Sequence, residues 1–351
     1  MKNKIRVLVV DDSAMVREIL TKGLSLDSEI EVVGHASDPY IARDKIIALK
    51  PDVLTLDVEM PRMDGVAFLR RLMPQYPLPV LMVSSLTHKG KEITLRALQA
   101  GAVDFVTKPS VNIARGLNGM LMELRAKVKI ASKANVNCWK QPSFKSHKKL
   151  KSVSPVLSAS TENVIAIGAS TGGTEAIRKI VTQFHADTPG IVIVQHMPAG
   201  FTTMFANSLN EQCAMFVKEA EPGDRIMPGR VLIAPGDFHL TVRRSGASYR
   251  VDCKKGDKVC GHRPSVEVLF QSVANSVGTH AIGIMLTGMG NDGADGLVAM
   301  RCTGAKTLAQ DEATSVVFGM PKVAYDRGGT DCLVPIHEIA TKVMTMLSGK
   351  S

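Results

Sequence analysis

The sequence predicts an α/β protein of two domains, each built on a parallel sheet, with a small antiparallel hairpin in the second. Short apolar runs alternate with helical periodicity over residues 5–122 and again over 159–348, the pattern of parallel strands joined by crossover helices. Between them residues 123–158 are basic, punctuated by Ser and Pro, and lack sustained apolar periodicity beyond a helix ending near Ile130. That composition marks a linker. Around Pro228–Val251 the spacing shortens and turn residues multiply, which predicts a hairpin inserted in or appended to the second sheet.

In the first domain the apolar runs fall at about 5–10, 31–36, 53–57, 79–84 and 103–107. The first of these is too short to cross a membrane and ends in Asp11-Asp12. No signal peptide precedes it and no other run is long enough to span a bilayer, so the expected location is the cytoplasm, without membrane insertion. In an open parallel sheet, ligands bind outside the carboxyl ends of the strands. The residues at those ends are Asp11 and Asp12, Asp57, Ser84 and Lys108. Three converging carboxylates repel one another unless a cation joins them, and Mg²⁺, which takes carboxylate, water and phosphate oxygens, fits that set. A central Asp can attack a phosphoryl group, Lys108 and the metal can neutralise the transferring oxygens, and the Ser84 hydroxyl can hydrogen-bond the product.

Through Val10-Asp11-Asp12, Leu56-Asp57, Met60-Pro61-x-Met63-Asp64-Gly65, Val83-Ser84 and Thr107-Lys108-Pro109, this segment resembles the receiver domain of two-component response regulators. The resemblance implies a doubly wound, flavodoxin-like fold, Mg²⁺ held by Asp11, Asp12 and Asp57, and Asp57 as phospho-acceptor from a histidine kinase. It also puts Phe105 where the family has its aromatic switch residue, commonly Tyr.

The net charge is +10, yet residues 125–161 carry nine basic side chains and no acidic one. The charge excess therefore belongs to the linker rather than to a folded face. With only 4% aromatic residues for base stacking, a nucleic-acid partner is not expected. A segment of this kind is a solvated, self-repelling spacer or an aid to binding an acidic partner. The six cysteines are scattered from Cys138 to Cys332 and read as free thiols in a reducing compartment. Cys253, Cys260 and His262 lack the paired spacing and fourth ligand of a zinc site.

The second domain opens with an apolar run, Val164–Ile167, followed by Gly168-Ala169-Ser170-Thr171-Gly172 and a helix read over Glu175–Phe184. A G-x-S-x-G sequence between strand and helix exposes its serine on a sharp turn, as a nucleophile requires. Further strands are read at Ile191–Gln195, Val231–Ala234, Ala281–Leu286 and Thr307–Gln310. His196 follows one of them at the expected sheet edge and is the first candidate for the base, with His239 and His262 as competitors. Asp292, in the loop leaving another strand, is the candidate carboxylate. The order Ser, His, Asp differs from that of α/β-hydrolases. The loop around Asp292 also contains Gly288-x-Gly290-x-x-Gly293, with Asp311 after the next strand, which is a dinucleotide-type fingerprint. A carboxylate inside such a loop repels pyrophosphate. The Gly168–Gly173 loop has Thr174-Glu175 where a nucleotide-binding loop requires Lys-Ser/Thr.

Taken together, Gly168–Thr174, Gln195-His196-Met197-Pro198, Phe201-Thr202, Ala234-Pro235-Gly236, His262-Arg263-Pro264-Ser265-Val266, Thr287-Gly288-Met289-Gly290 and Gly319-Met320-Pro321 resemble the catalytic domain of the CheB family of chemotaxis receptor-glutamate methylesterases. The resemblance implies Ser170 as nucleophile, His196 as base and acid, and Asp292 as the residue orienting His196. The Met289 N–H is expected among the oxyanion donors. It implies hydrolysis of glutamate methyl esters on methyl-accepting chemotaxis receptors, deamidation of receptor glutamines, no cofactor for the hydrolase, and a chemotaxis histidine kinase as phosphodonor.

Overall fold

A computed structural model describes residues 4–85, 87–109, 113–136 and 163–348, and the chain divides into two units between residues 145 and 146. In the first unit the elements alternate as read: β1 (Ile5–Val10), α1 (Ala14–Ser25), β2 (Ile30–Ala36), α2 (Pro39–Leu49), β3 (Val53–Asp57), α3 (Gly65–Gln75), β4 (Val80–Ser84), α4 (His88–Gln99), β5 (Asp104–Thr107) and α5 (Ile113–Ala131). Strand order is β2-β1-β3-β4-β5 and every pairing is parallel, the flavodoxin-like arrangement. Every residue of β3 and β4 is buried, because helices cover both faces of a parallel sheet. Helices α1 to α4 start on side-chain caps: Ser13, Asp38, Asp64 and Thr87 each accept a backbone N–H from the first turn.

The domain boundary expected after residue 122 falls within α5, which continues to Ala131. Leu124, Val128 and Ala131 are fully buried on that helix, so the helix read as far as Ile130 belongs to the first unit. Of the linker expected at residues 123–158, residues 137–158 lie outside the described residues.

The second unit holds β6 (Val164–Ala169), α6 (Gly173–Val181), β7 (Gly190–Gln195), α7 (Phe201–Asn210), β8 (Phe216–Glu219), β9 (Arg225–Ile226), β10 (Arg230–Ile233), β11 (His239–Ser245), β12 (Ser248–Lys254), α8 (Val266–Ser276), β13 (Ala281–Met285), α9 (Ala294–Cys302), β14 (Lys306–Gln310), α10 (Met320–Asp326), β15 (Leu333–Val334) and α11 (Ile339–Leu347). Seven strands form a parallel sheet in the order β15-β14-β13-β6-β7-β10-β8. The chain leaves β6 towards β7 on one side and returns to β13 on the other, so the strand order reverses at β6. Ligand sites form at such switch points.

The small antiparallel element is larger than the hairpin expected. β11 and β12 pair, and β9 adds a third strand through Tyr249 opposite Ile226 and Arg250 opposite Arg225. Two residues are too short a run to register as strand periodicity. This sheet is separate from the parallel one, and α8 packs on both β11 and β6. Its buried Val266, Leu269, Phe270 and Val273 join Leu240, Val242 and Val251 in one core cluster. The helix after β6 begins at Gly173 and ends at Val181, two residues earlier than expected at its start.

Candidate active site

Ser170 follows directly on β6, and its glycine frame has two physical reasons. Gly172 sits at φ +77°, and a Cβ there would come within 2.6 Å of Val316, so the turn needs a residue without a side chain. At Gly168 a Cβ would meet Val266 of α8 at 2.2 Å. The first glycine therefore admits the helix and the second makes the turn. Ser170 N–H donates to Thr287 O at 3.0 Å and Gly173 N–H donates to Ser170 O at 2.8 Å, which fixes the backbone around the hydroxyl.

The carboxyl ends of β6, β7 and β13 bring three expected residues together. His196 Nδ1 lies 3.1 Å from Ser170 Oγ, and His196 Nε2 lies 2.7 Å from Asp292 Oδ2. An ionised carboxylate only accepts hydrogen bonds. Asp292 therefore fixes the imidazole proton on Nε2 and leaves the Nδ1 lone pair facing the serine hydroxyl. The His196 and Asp292 side chains are 7% and 2% exposed, so little water competes for these bonds.

Asp292 itself is held by the start of α8. Ser265 Oγ donates to Oδ1 at 2.6 Å, Val266 N–H to Oδ2 at 2.7 Å and Glu267 N–H to Oδ1 at 3.1 Å. Burial alone pushes this carboxyl's pKa up, but His196, Ser265 and the Val266 N–H outweigh it and hold the group below the ordinary carboxylate range. The positive end of the helix acts in the same sense. Of the competing histidines, His239 is on β11 with Nε2 bonded to Asp257 O at 2.8 Å, a structural brace. His262 stacks on His196, ring centroids 3.7 Å apart and planes at 11°, and so covers one face of the candidate base.

Met289 lies in the loop after β13. A Cβ on the preceding Gly288 would sit 2.7 Å from Ser170 Cβ, so the glycine lets this loop lie against the serine. Among the described residues the Met289 N–H has no intramolecular acceptor. The dinucleotide-type reading of Gly288, Gly290 and Gly293 does not survive this geometry. Asp292 points into the α8 N-terminus, and Asp311 spends its carboxylate on Thr314 N–H and Oγ1.

In the first unit, Asp11, Asp12 and Asp57 offer carboxylate oxygens within 4.8 Å of one another. Lys108 Nζ lies 2.9 Å from Asp11 Oδ2 and 3.0 Å from Asp57 Oδ1. Burial raises the Asp57 pKa to about 6, against the attraction of Lys108 and with a further push from Asp11. A hard, all-oxygen set of this kind, with Asp11 and Asp57 buried and Asp12 exposed, suits Mg²⁺. Ser84 ends β4 as expected, but its hydroxyl is engaged with α4: it accepts from Thr94 Oγ1 at 2.5 Å and lies 3.2 Å from Gly90 O. Phe105 is buried, and Lys127 Nζ donates to its carbonyl at 2.6 Å.

Two participants carried no assigned role in the sequence. Ser265 both caps α8, accepting from Val268 N–H, and holds Asp292; a serine before an apolar helical run signals the cap, but nothing local signals a carboxylate from 27 residues away. Gln195 donates from Nε2 to Ser170 O at 2.8 Å and His196 O at 3.2 Å. The described cysteines, from Cys213 to Cys332, are free thiols, and burial pushes Cys213 to about 11 and Cys253 to about 12, away from nucleophilic use. Cys138 lies outside the described residues. No helix among the described residues is long and apolar enough to cross a membrane.

A family model for CheB methylesterase matches residues 165–343, and one for the response regulator receiver domain matches residues 7–115. A protein-glutamate methylesterase/protein-glutamine glutaminase of Syntrophotalea carbinolica is 66% identical over 349 residues, 99% of each chain. The protein of the same description from Escherichia coli O157:H7 is 51% identical over 346 residues, 99% of this chain and 98% of its own. The crystal structure of the Thermotoga maritima CheB methylesterase catalytic domain is 37% identical with a TM-score of 0.51, covering 52% of this chain and 98% of that one. The fold and the comparisons define a response-regulator receiver joined to a hydrolase domain. The chain belongs to the CheB methylesterase family.

Proposed function

We propose that this chain is a phosphorylation-controlled serine hydrolase of the cytoplasm that removes methyl esters from glutamate side chains of chemoreceptors and deamidates particular receptor glutamines. The observation that carries this reading is the unbroken hydrogen-bonded chain from Ser170 through His196 to Asp292, with separations of 3.1 and 2.7 Å. Ser170 Oγ bonds to the ester carbonyl carbon as its proton passes to His196 Nδ1. The oxygen that becomes negative is met by the Met289 N–H. The bond from carbon to methoxy oxygen then breaks, and Nδ1 returns the proton to departing methanol. Water repeats the attack on the glutamyl-serine ester, its proton going through Nδ1 to Ser170 Oγ, and a glutamate carboxylate leaves. With glutamine the first leaving group is ammonia. Asp292 stays ionised throughout and stabilises the imidazolium that forms twice in the cycle.

In the receiver, Asp57 accepts the phosphoryl group from a phosphohistidine of a chemotaxis histidine kinase. Asp11, Asp12 and Asp57 would hold Mg²⁺, which supplies positive charge for the phosphoryl oxygens. Lys108, already within reach of Asp11 and Asp57, pairs with a phosphoryl oxygen. The Ser84 hydroxyl reaches the product by turning away from Gly90 and Thr94.

Methanol release from methylated receptor membranes tests this reading. The full chain, supplied with Mg²⁺ and a small phosphodonor, releases methanol, and Ser170→Ala does not. No methanol from the wild-type chain under these conditions overturns the assignment.

A further inference from the structure

Gln195 is the last residue of β7, in register beside Ala169, and is 4% exposed. The four residues before it, Ile191–Val194, are apolar and fully buried, so a residue that only filled space here would be apolar too. Instead its Nε2, with two hydrogens, donates to Ser170 O and His196 O at 2.8 and 3.2 Å. The amide oxygen on the other side is buried with no partner. It sits against Gly173, where a Cβ would come within 2.1 Å of it. Burying an amide oxygen without a protein partner is costly. Turning the amide over would be worse, because its oxygen would then face two carbonyl oxygens.

We infer that Gln195 is a positioning residue of the hydrolase: one carboxamide nitrogen clamps the backbone of the nucleophile to that of the base and so fixes the approach of Ser170 Oγ to His196 Nδ1. The inference rests on the reading of Ser170 and His196 given above. Its chemical content is the donor pair rather than the side-chain volume. The main chain around the serine is already held by Thr287 and Gly173, and His196 N–H already donates to Ala169 O at 3.1 Å, so the clamp adds a second tie, one residue further along, between the serine and histidine backbones and trims the distance between their side chains. Losing it loosens the reacting geometry while leaving the side chains of Ser170 and His196 themselves in place.

The test compares Gln195→Met and Gln195→Glu in the full, phosphorylated chain. It measures kcat and KM for methanol release, the rate of serine modification by a fluorophosphonate probe, and Tm. In Gln195→Met, kcat and the modification rate fall together by about 10- to 100-fold, KM stays within about twofold, and the loss relative to wild type is the same at every pH. In Gln195→Glu the loss is as large above neutrality, but the variant-to-wild-type ratio climbs as pH falls. A protonated carboxyl regains one donor, and burial raises the pH at which it does so. Wild-type kcat in Gln195→Met overturns the inference, as does a Gln195→Glu ratio that is flat with pH. Ser170→Ala, run alongside, separates the two readings: if it still turns over, the nucleophile is misassigned, whereas an inactive Ser170→Ala with a fully active Gln195→Met removes only the clamp.

Discussion

At Asp292 one carboxylate accepts from four donors, His196 Nε2, Ser265 Oγ and the N–H groups of Val266 and Glu267. In the proposed mechanism such a group supports both turnover and stability. Ser170→Ala and His196→Ala abolish methanol release, while Asp292→Asn, which can donate where an acceptor is required and so disturbs the tautomer, loses about two to four orders of magnitude in kcat. Near-normal turnover by any of the three in a direct methanol assay contradicts the triad. The folded-state pKa of Asp292 is lowered, so its stabilisation is complete above the unfolded carboxylate value and is lost as pH falls through the depressed one. Thermal melts between about pH 5 and 2 therefore show a shallower acid limb in Asp292→Asn than in wild type. In the receiver, Asp57→Asn accepts no acid-stable, base-labile phosphate from a small phosphodonor. Undiminished labelling of that variant would move the phosphorylation site elsewhere.

Helix α8 is the element on which the hydrolase geometry depends. Its first turn holds Asp292, its buried face joins the core shared with β11 and β12, and its Val266 rests against Gly168. Ser265→Ala removes a cap, at a cost of about 1 kcal/mol, together with a donor to Asp292. Its kcat falls further than the stability loss explains, which parallel measurement of Tm and turnover resolves. Gly168→Ala tests the same element from the other side. A Cβ 2.2 Å from Val266 forces α8 outward, and the overpacking costs about 1–3 kcal/mol. If α8 is the support proposed, that variant loses activity while Ser170 remains in place; a fully active, less stable Gly168→Ala protein would detach the helix from catalysis.

For the whole molecule, joining a phosphoryl-accepting unit to a hydrolase makes activity a matter of populations. If the resting chain is about 1% competent, phosphorylation raises turnover at most about 100-fold, and reaching a mostly competent state takes several kcal/mol of differential stabilisation. A fragment beginning near residue 153 sets that ceiling: it is active without phosphodonor, whereas the full chain is slow until Asp57 is phosphorylated. Equal rates for fragment, resting chain and phosphorylated chain would refute restraint by the receiver. Both sheets and most strand ends were legible in the sequence, because a buried parallel strand is a run of apolar residues and its polar terminus stands out against it. Asp11, Asp57, Ser170 and His196 are of this kind, whereas Asp292 lies in the loop seven residues beyond the end of β13. Less was legible where a signal was too short, as in the two residues of β9. By itself the sequence determined which residues end the strands and which glycines the turns demand, since periodicity and backbone sterics are local. Only the tertiary structure decided that β6 is the switch point between β7 and β13, that α8 closes on Asp292, that Gln195 joins the serine to the histidine, and that Ser84 is turned towards α4. Those are contacts between residues from 10 to 117 positions apart, and their energies are set by packing and hydrogen-bond direction, which no local pattern encodes.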